Sequence, residues 1–178
     1  MSEIYLARHG ETPFNAERRF QGHLPVPLTE RGRAQAAELA EAASAKGFVA
    51  LYASPLARAR ETAGIVGARI GLEPREDARF AETDTGHWTG RLFAEVRAEA
   101  PGRFDAWASG EEDFAFPGGE SFAQQRARVL AGIHDVRAAG HPGPVLIICH
   151  RQAMRLVLGG GSLADHPIDN GALVAVPA

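Results

Sequence analysis

Apolar positions in this chain fall into short unbroken runs separated by stretches of helical period. Ile4 to Arg8 is one such run, closed by His9-Gly10, and reads as a buried first strand entering a loop. Thr29 is placed to cap a helix through about Lys46, with Ala34, Ala37, Leu39 and Ala43 as its small-residue face and Gly47 as its stop. A second strand over residues 49–53 follows, and Ser54-Pro55 reads as an N-cap with proline at the first helical position. Arg58 then falls in or near the first turn of a helix running toward Ile70.

Residues 79–120 are punctuated by Gly86, Gly90, Pro101, Gly102, Gly110 and Pro117-Gly118-Gly119, which predicts loops over a site with one helix near 92–100. Ser121 and Gln124 form a capping-box pair ahead of a helix whose apolar face is Phe122, Val129, Leu130, Ile133 and Val136. The run Val145 to Cys149 predicts a central buried strand, ending at His150 and feeding a helix that stops at Gly159-Gly160-Gly161. A last short strand covers 172–176. Strands alternating with helices predict an α/β fold: a three-layer sandwich, with a mostly parallel central sheet and helices on both faces.

Composition narrows this picture. With 178 residues, 45% of them hydrophobic, the chain suits one domain, 1–178, with a substrate-covering segment within about 83–120. A formal charge of -3 supplies no basic field for nucleic acid, and no run approaches the ~20 apolar residues of a membrane span. Lys46 is the only lysine among 19 basic residues, which reads as coding bias rather than as phosphate recognition. Cys149 is the single cysteine, so no internal disulfide forms, and the cytoplasm is the expected compartment. The seven histidines include no His-x-His or His-x3-His pair, so no metal site is expected.

The chemistry lies at the strand ends. Three separate strand exits deliver Arg8-His9, Arg58 and His150 to the carboxyl edge of the sheet, where doubly wound folds gather their ligands. Two arginines suit a phosphate because each offers paired N–H donors and stays charged, while two histidines supply a nucleophile and a further donor.

With these residues in place, the chain resembles the histidine phosphatase superfamily, also called phosphoglycerate mutase-like, along nearly its whole length. The likeness is carried by Arg8-His9-Gly10-Glu11-Thr12, Asn15, Arg19-Phe20-Gln21-Gly22 and Pro27-Leu28-Thr29-Glu30-Arg31-Gly32. It continues in Ala53-Ser54-Pro55-Leu56 with Arg58, in Glu82 with Gly86-His87-Trp88-Thr89-Gly90, in Pro117-Gly118-Gly119-Glu120-Ser121 and in Cys149-His150. The resemblance implies that His9 is the nucleophile of a phosphohistidine mechanism. It also implies that Arg8, Arg58 and His150 bind the phosphoryl group, that Glu82 moves the proton, and that Asn15, Gln21 and Gly22 line the phosphate side. It implies a phosphomonoesterase without metal or other cofactor, acting on a small phosphorylated metabolite, with a homodimer left open.

The sequence departs from the family pattern at Arg151-Gln152, where glycines are common, and Arg151 can face either the substrate or solvent. The Cys149-x5-Arg155 spacing offers a cysteine phosphatase as a rival, but the intervening residues hold no glycine to turn backbone N–H groups toward phosphate. A catalytically silent ligand-binding member is a further reading. A mutase is another, although the segment between Glu82 and Ser121 lacks the insertion of the cofactor-dependent mutases. The apolar Phe93, Phe104, Trp107, Phe114 and Phe116 in that segment suggest a partly hydrophobic roof, or core packing.

Overall fold

The computed structural model describes residues 2–159 and 168–177. Three strands of the sheet take the predicted apolar runs: β1 (Ile4–Arg8), β2 (Ala50–Ala53) and β4 (Val145–Cys149), with the two-residue β3 (Arg75–Glu76) between β2 and β4 in sequence. A last strand, β5 (Leu173–Ala175), completes the order β3-β2-β4-β1-β5. β4 lies at the centre, parallel to both β1 and β2, and every residue of it is buried. β5 runs antiparallel on the far side of β1.

The pleat of β4 divides the core. Val145, Ile147 and Cys149 pack with Ile4, Leu6, Phe80, Val129, Ile133 and Met154. That layer is built by α6 (Phe122–Ala138) and α7 (Arg151–Val157). Leu146 and Ile148 face the other way, onto Leu39, Ala40, Ala59, Ala63 and Val66. These belong to α2 (Glu30–Ser44) and α3 (Ala57–Ile70). Each such fully buried aliphatic side chain contributes about 1.5–3 kcal/mol. The result is the expected α/β sandwich, mostly parallel, with helices on both faces.

Local details differ from the sequence reading. In α2 the buried face is Gly32, Ala36, Leu39, Ala40 and Ala43, while Ala34 and Ala37 are exposed. An alanine-rich helix shows little contrast between faces, so its register is hard to read. The cap of α3 is Leu56, not Ser54, whose hydroxyl instead accepts from Leu56 N and meets His150. Ser121 does cap α6 with Gln124 in a capping box, but Leu130 stands 36% exposed, and Gln125 and Gly132 take places on the buried face. Pro101-Gly102 starts a helix rather than breaking one: α4 (Phe93–Glu99) is followed at once by α5 (Pro101–Ser109) with proline in its first turn. Of the predicted glycine stop after α7, Gly160 and Gly161 lie outside the described residues.

Segment 83–120 packs its aromatic side chains together. Phe20, Trp88, Trp107, Phe114, Phe116 and Phe122 form a third buried cluster, with Phe93 and Phe104 partly covered at its edge. Rings meet edge-on or tilted, as between Phe20 and Phe93 with centroids 4.5 Å apart. Core packing therefore accounts for all of these residues, and Phe20, Phe93, Trp107 and Phe116 also line the pocket described next.

Candidate active site

His9 stands one residue beyond β1 and is only 2% exposed. Its backbone N–H donates to Cys149 O, and its carbonyl accepts from Asn170 Nδ2 at 2.9 Å. The next amide, Gly10 N, donates to Thr62 Oγ1, whose hydroxyl donates to Arg58 O. The histidine is thereby tied to β4, to α3 and to the turn before β5. Nδ1 lies 2.7 Å from Gly10 O. A carbonyl can only accept, so Nδ1 carries the proton and the lone pair of the neutral ring resides on Nε2. Burial, then the charges of Arg58 and Arg8, hold the His9 pKa well below the usual histidine value.

His150 caps the other end of the same chemistry. It follows β4, is fully buried, and sits with its ring centroid 5.1 Å from that of His9. Its Nε2 lies 2.7 Å from Ser54 Oγ, an oxygen that already accepts from Leu56 N and so is free to donate to Nε2. In that arrangement Nδ1 bears the proton, and Nδ1 has no partner. Burial and the charge of Arg58 hold the His150 pKa well below normal as well.

Two guanidinium groups flank the histidines. Arg8 donates to Ile168 O at 2.6 Å, and Arg58 to Gly22 O at 2.9 Å and Leu24 O at 3.3 Å. Burial lowers each to about 10, still fully cationic at neutral pH. Among the described residues neither forms an ion pair, although the charge of Glu82 acts on both, and the Nε of each is buried without a hydrogen-bond partner.

Asn15 and Gln21 both line the pocket, and the oxygens of both amides are engaged within the protein. Asn15 Oδ1 accepts from Thr12 N and Asn170 Nδ2, and Gln21 Oε1 accepts from Thr12 Oγ1 at 2.7 Å. Glu82 lines the pocket opposite, with Oε1 accepting from Thr83 N and Gln125 Nε2 and Oε2 from Gln152 N. All eight site residues predicted from the sequence thus come together: His9, Arg8, Arg58, Asn15, Gln21, Gly22 and Glu82 line one pocket, and the ring of His150 meets that of His9 at a tilt of 58°.

Sequence reasoning missed three supports. Gln125 is a buried polar residue on the core stripe of α6, a break in the pattern that signals a partner. Arg128 holds Arg79 O, Ala81 O and Glu82 O while pairing with Glu120, which fixes the irregular segment carrying Glu82. Asn170 gives no local signal at all. His87 is exposed.

Cys149 is fully buried, and burial pushes its thiol well above the usual range, away from the thiolate that attack on phosphorus requires. Residues 151–157 are helical, so no phosphate-cradling loop joins Cys149 to Arg155. Among the described residues, no group of three or more His, Cys, Asp or Glu could hold a metal.

A sequence profile of the histidine phosphatase superfamily (branch 1) matches residues 4–174. The chain belongs to this superfamily. Among its relatives, a probable phosphoglycerate mutase of Enterobacter is 36% identical over 154 residues, 86% of this chain and 72% of the relative. A phosphoserine phosphatase 1 of Hydrogenobacter thermophilus is 35% identical over 155 residues, 87% of this chain and 74% of that protein. Among solved structures of the superfamily, mycobacterial glucosyl-3-phosphoglycerate phosphatase in complex with VO3 superposes with a TM-score of 0.88 at 29% identity, covering 98% and 90% of the two chains. This histidine phosphatase superfamily member therefore has both phosphatases and a mutase-named protein among its relatives.

Proposed function

We propose that this chain is a metal-independent phosphomonoesterase that hydrolyses small phosphorylated metabolites through a phosphohistidine at His9. The observation that carries the reading is a set of buried donors left without partners: Arg8 Nε, Arg58 Nε, His150 Nδ1, Arg151 Nε and Gln152 Nε2. Each unmet buried donor costs about 1–3 kcal/mol, and tetrahedral phosphoryl oxygens are acceptors suited to several of them at once.

The lone pair on His9 Nε2 forms the bond to phosphorus as the bond to the ester oxygen breaks. The Nδ1–H bond to Gly10 O supports the positive charge that grows on the ring. Arg8, Arg58 and His150 neutralise and orient the equatorial oxygens, and Asn15, Gln21 and Gly22 complete the phosphate wall. Glu82 gives its proton to the departing alkoxide. It then takes a proton from water, whose oxygen attacks phosphorus while the P–N bond breaks, returning neutral His9 and releasing inorganic phosphate.

On this reading the partner is a small metabolite rather than nucleic acid or membrane, and the compartment is the cytoplasm. The net charge of -3 supports the first statement. No helix of the described residues is long and apolar enough to cross a membrane.

The test is turnover of p-nitrophenyl phosphate with and without chelator, with base-quenched trapping of labelled phosphoprotein. Chelator-resistant turnover and an acid-labile label are expected, both lost in His9→Ala by on the order of 10³-fold or more. Activity that chelator abolishes would falsify the metal-free chemistry. The mutase-named relative supports a second reading, phosphoryl transfer to another acceptor. Conversion of 3-phosphoglycerate to 2-phosphoglycerate without phosphate release would establish that instead.

A further inference from the structure

The phosphoryl chemistry leaves Arg151 over. It opens α7 directly after His150 and lines the pocket beside Arg8 and Gln152. Its side chain is half-buried, and its Nε is fully buried without a partner. An outer cleft continues the pocket between Arg8, Arg18, Arg19, Arg151 and Asn170. Arg151 therefore lines both this cleft and the pocket that holds His9.

Charge matching shows what it lacks. A phosphoryl dianion is balanced by Arg8 and Arg58. Arg19 is paired with Glu17 at 2.6 Å and donates to Gly90 O. The acids that act on Arg151 are Glu82, which carries a proton when it serves as the acid, and the exposed Asp169. Among the described residues that leaves Arg151 and the exposed Arg18 without an ion pair, and of the two only Arg151 also lines the phosphoryl pocket, with a fork of N–H donors suited to an oxyanion. The apolar wall of Phe93, Phe20 and Trp107 is available for the carbon skeleton between the two charged ends.

Resting on the phosphomonoesterase reading, we propose that Arg151 selects phosphate monoesters whose alcohol bears a second anionic oxygen group, a carboxylate or a further phosphate, bound by its guanidinium at the mouth of the pocket. The residue acts on specificity, because it touches the leaving group rather than the phosphorus.

Two substrate pairs read this contact. 3-Phosphoglycerate and glycerol 3-phosphate differ only by a carboxylate in place of a hydroxymethyl group, and fructose 1,6-bisphosphate differs from fructose 6-phosphate by the second phosphate. In the unaltered protein, kcat/KM should favour the more anionic member of at least one pair, and which pair responds tells carboxylate from phosphate. In Arg151→Ala that preference should fall by about 10- to 100-fold, mainly through KM, as expected for one charge-assisted hydrogen-bonded contact. Arg151→Lys, which keeps the charge without the fork, should retain an intermediate preference. Equal losses on both members of each pair, or no preference in the unaltered protein while p-nitrophenyl phosphate is turned over, would overturn the inference and leave the phosphatase reading standing. A protein that neither turns over p-nitrophenyl phosphate nor labels at His9 fails the phosphatase reading instead. Calorimetric titration of the same ligands into His9→Ala, with and without Arg151→Ala, then decides the subsite by affinity alone without turnover, an Arg151-independent affinity rejecting it.

Discussion

His9 has its protonation state set from three sides: burial, two neighbouring guanidinium groups, and a carbonyl that claims Nδ1. His150 shares the first two influences. The folded pKa of each lies below the unfolded value near 6.5, so the unfolded chain binds protons first as the solution is acidified. The stability these residues permit is complete above about pH 6.5 and is lost as pH falls below it, by up to about 1.4 kcal/mol per pH unit for each ring. Urea midpoints measured between about pH 7 and pH 5 should show this slope, and a His150→Gln variant should flatten it. An unchanged slope in that variant would mean that His150 is not held neutral by its surroundings. The residues themselves were legible from sequence because strand exits followed by Arg-His, by an arginine in the next helix, and by a second histidine are local patterns. Gln125, Arg128 and Asn170 were not, because what they do depends on contacts many residues away.

At the scale of elements, the loop bearing His9 is clamped by close backbone contact with α2. A Cβ built on Gly32 would lie 2.1 Å from Glu11 O, and one on Gly10 would lie 2.2 Å from Gly32 O. Both contacts are with backbone, which cannot rotate aside. Gly32→Ala should cost about 1–3 kcal/mol of stability. It should also lower kcat on the order of 10- to 100-fold, because a displacement near 1 Å at the nucleophile is enough. Chemical denaturation together with steady-state kinetics checks both, and full activity in a folded variant would show that the loop can shift without consequence. The sheet was predictable, since β1 and β4 are unbroken apolar runs. Helices were less so. The alanines of α2 hide its inward face, and the Pro101-Gly102 pair that begins α5 carries the same residues that end helices elsewhere.

For the whole molecule, the site is a junction of segments far apart in sequence, and it gathers buried donors that have no partner among the described residues. A ligand that satisfies them should stabilise the entire fold by mass action, about 2.7 kcal/mol at one hundred times its Kd. Inorganic phosphate or vanadate should raise Tm in a concentration-dependent way, and Arg58→Ala should remove most of that rise. A rise that survives in Arg58→Ala would place the anion elsewhere. The fold class could be inferred from the alternation of strands and helices, but the route of the chain could not, because no local signal says that the first strand lies between β4 and β5. That placement bears on how the protein is made. β1 leaves the ribosome first, yet both of its hydrogen-bonded neighbours are encoded beyond residue 144, and the amide that holds the His9 carbonyl is Asn170. A nascent chain therefore carries His9 without its flanking strands and without Asn170 until the segment between residues 145 and 175 has been made, so the loop that holds this histidine is assembled late rather than as it emerges.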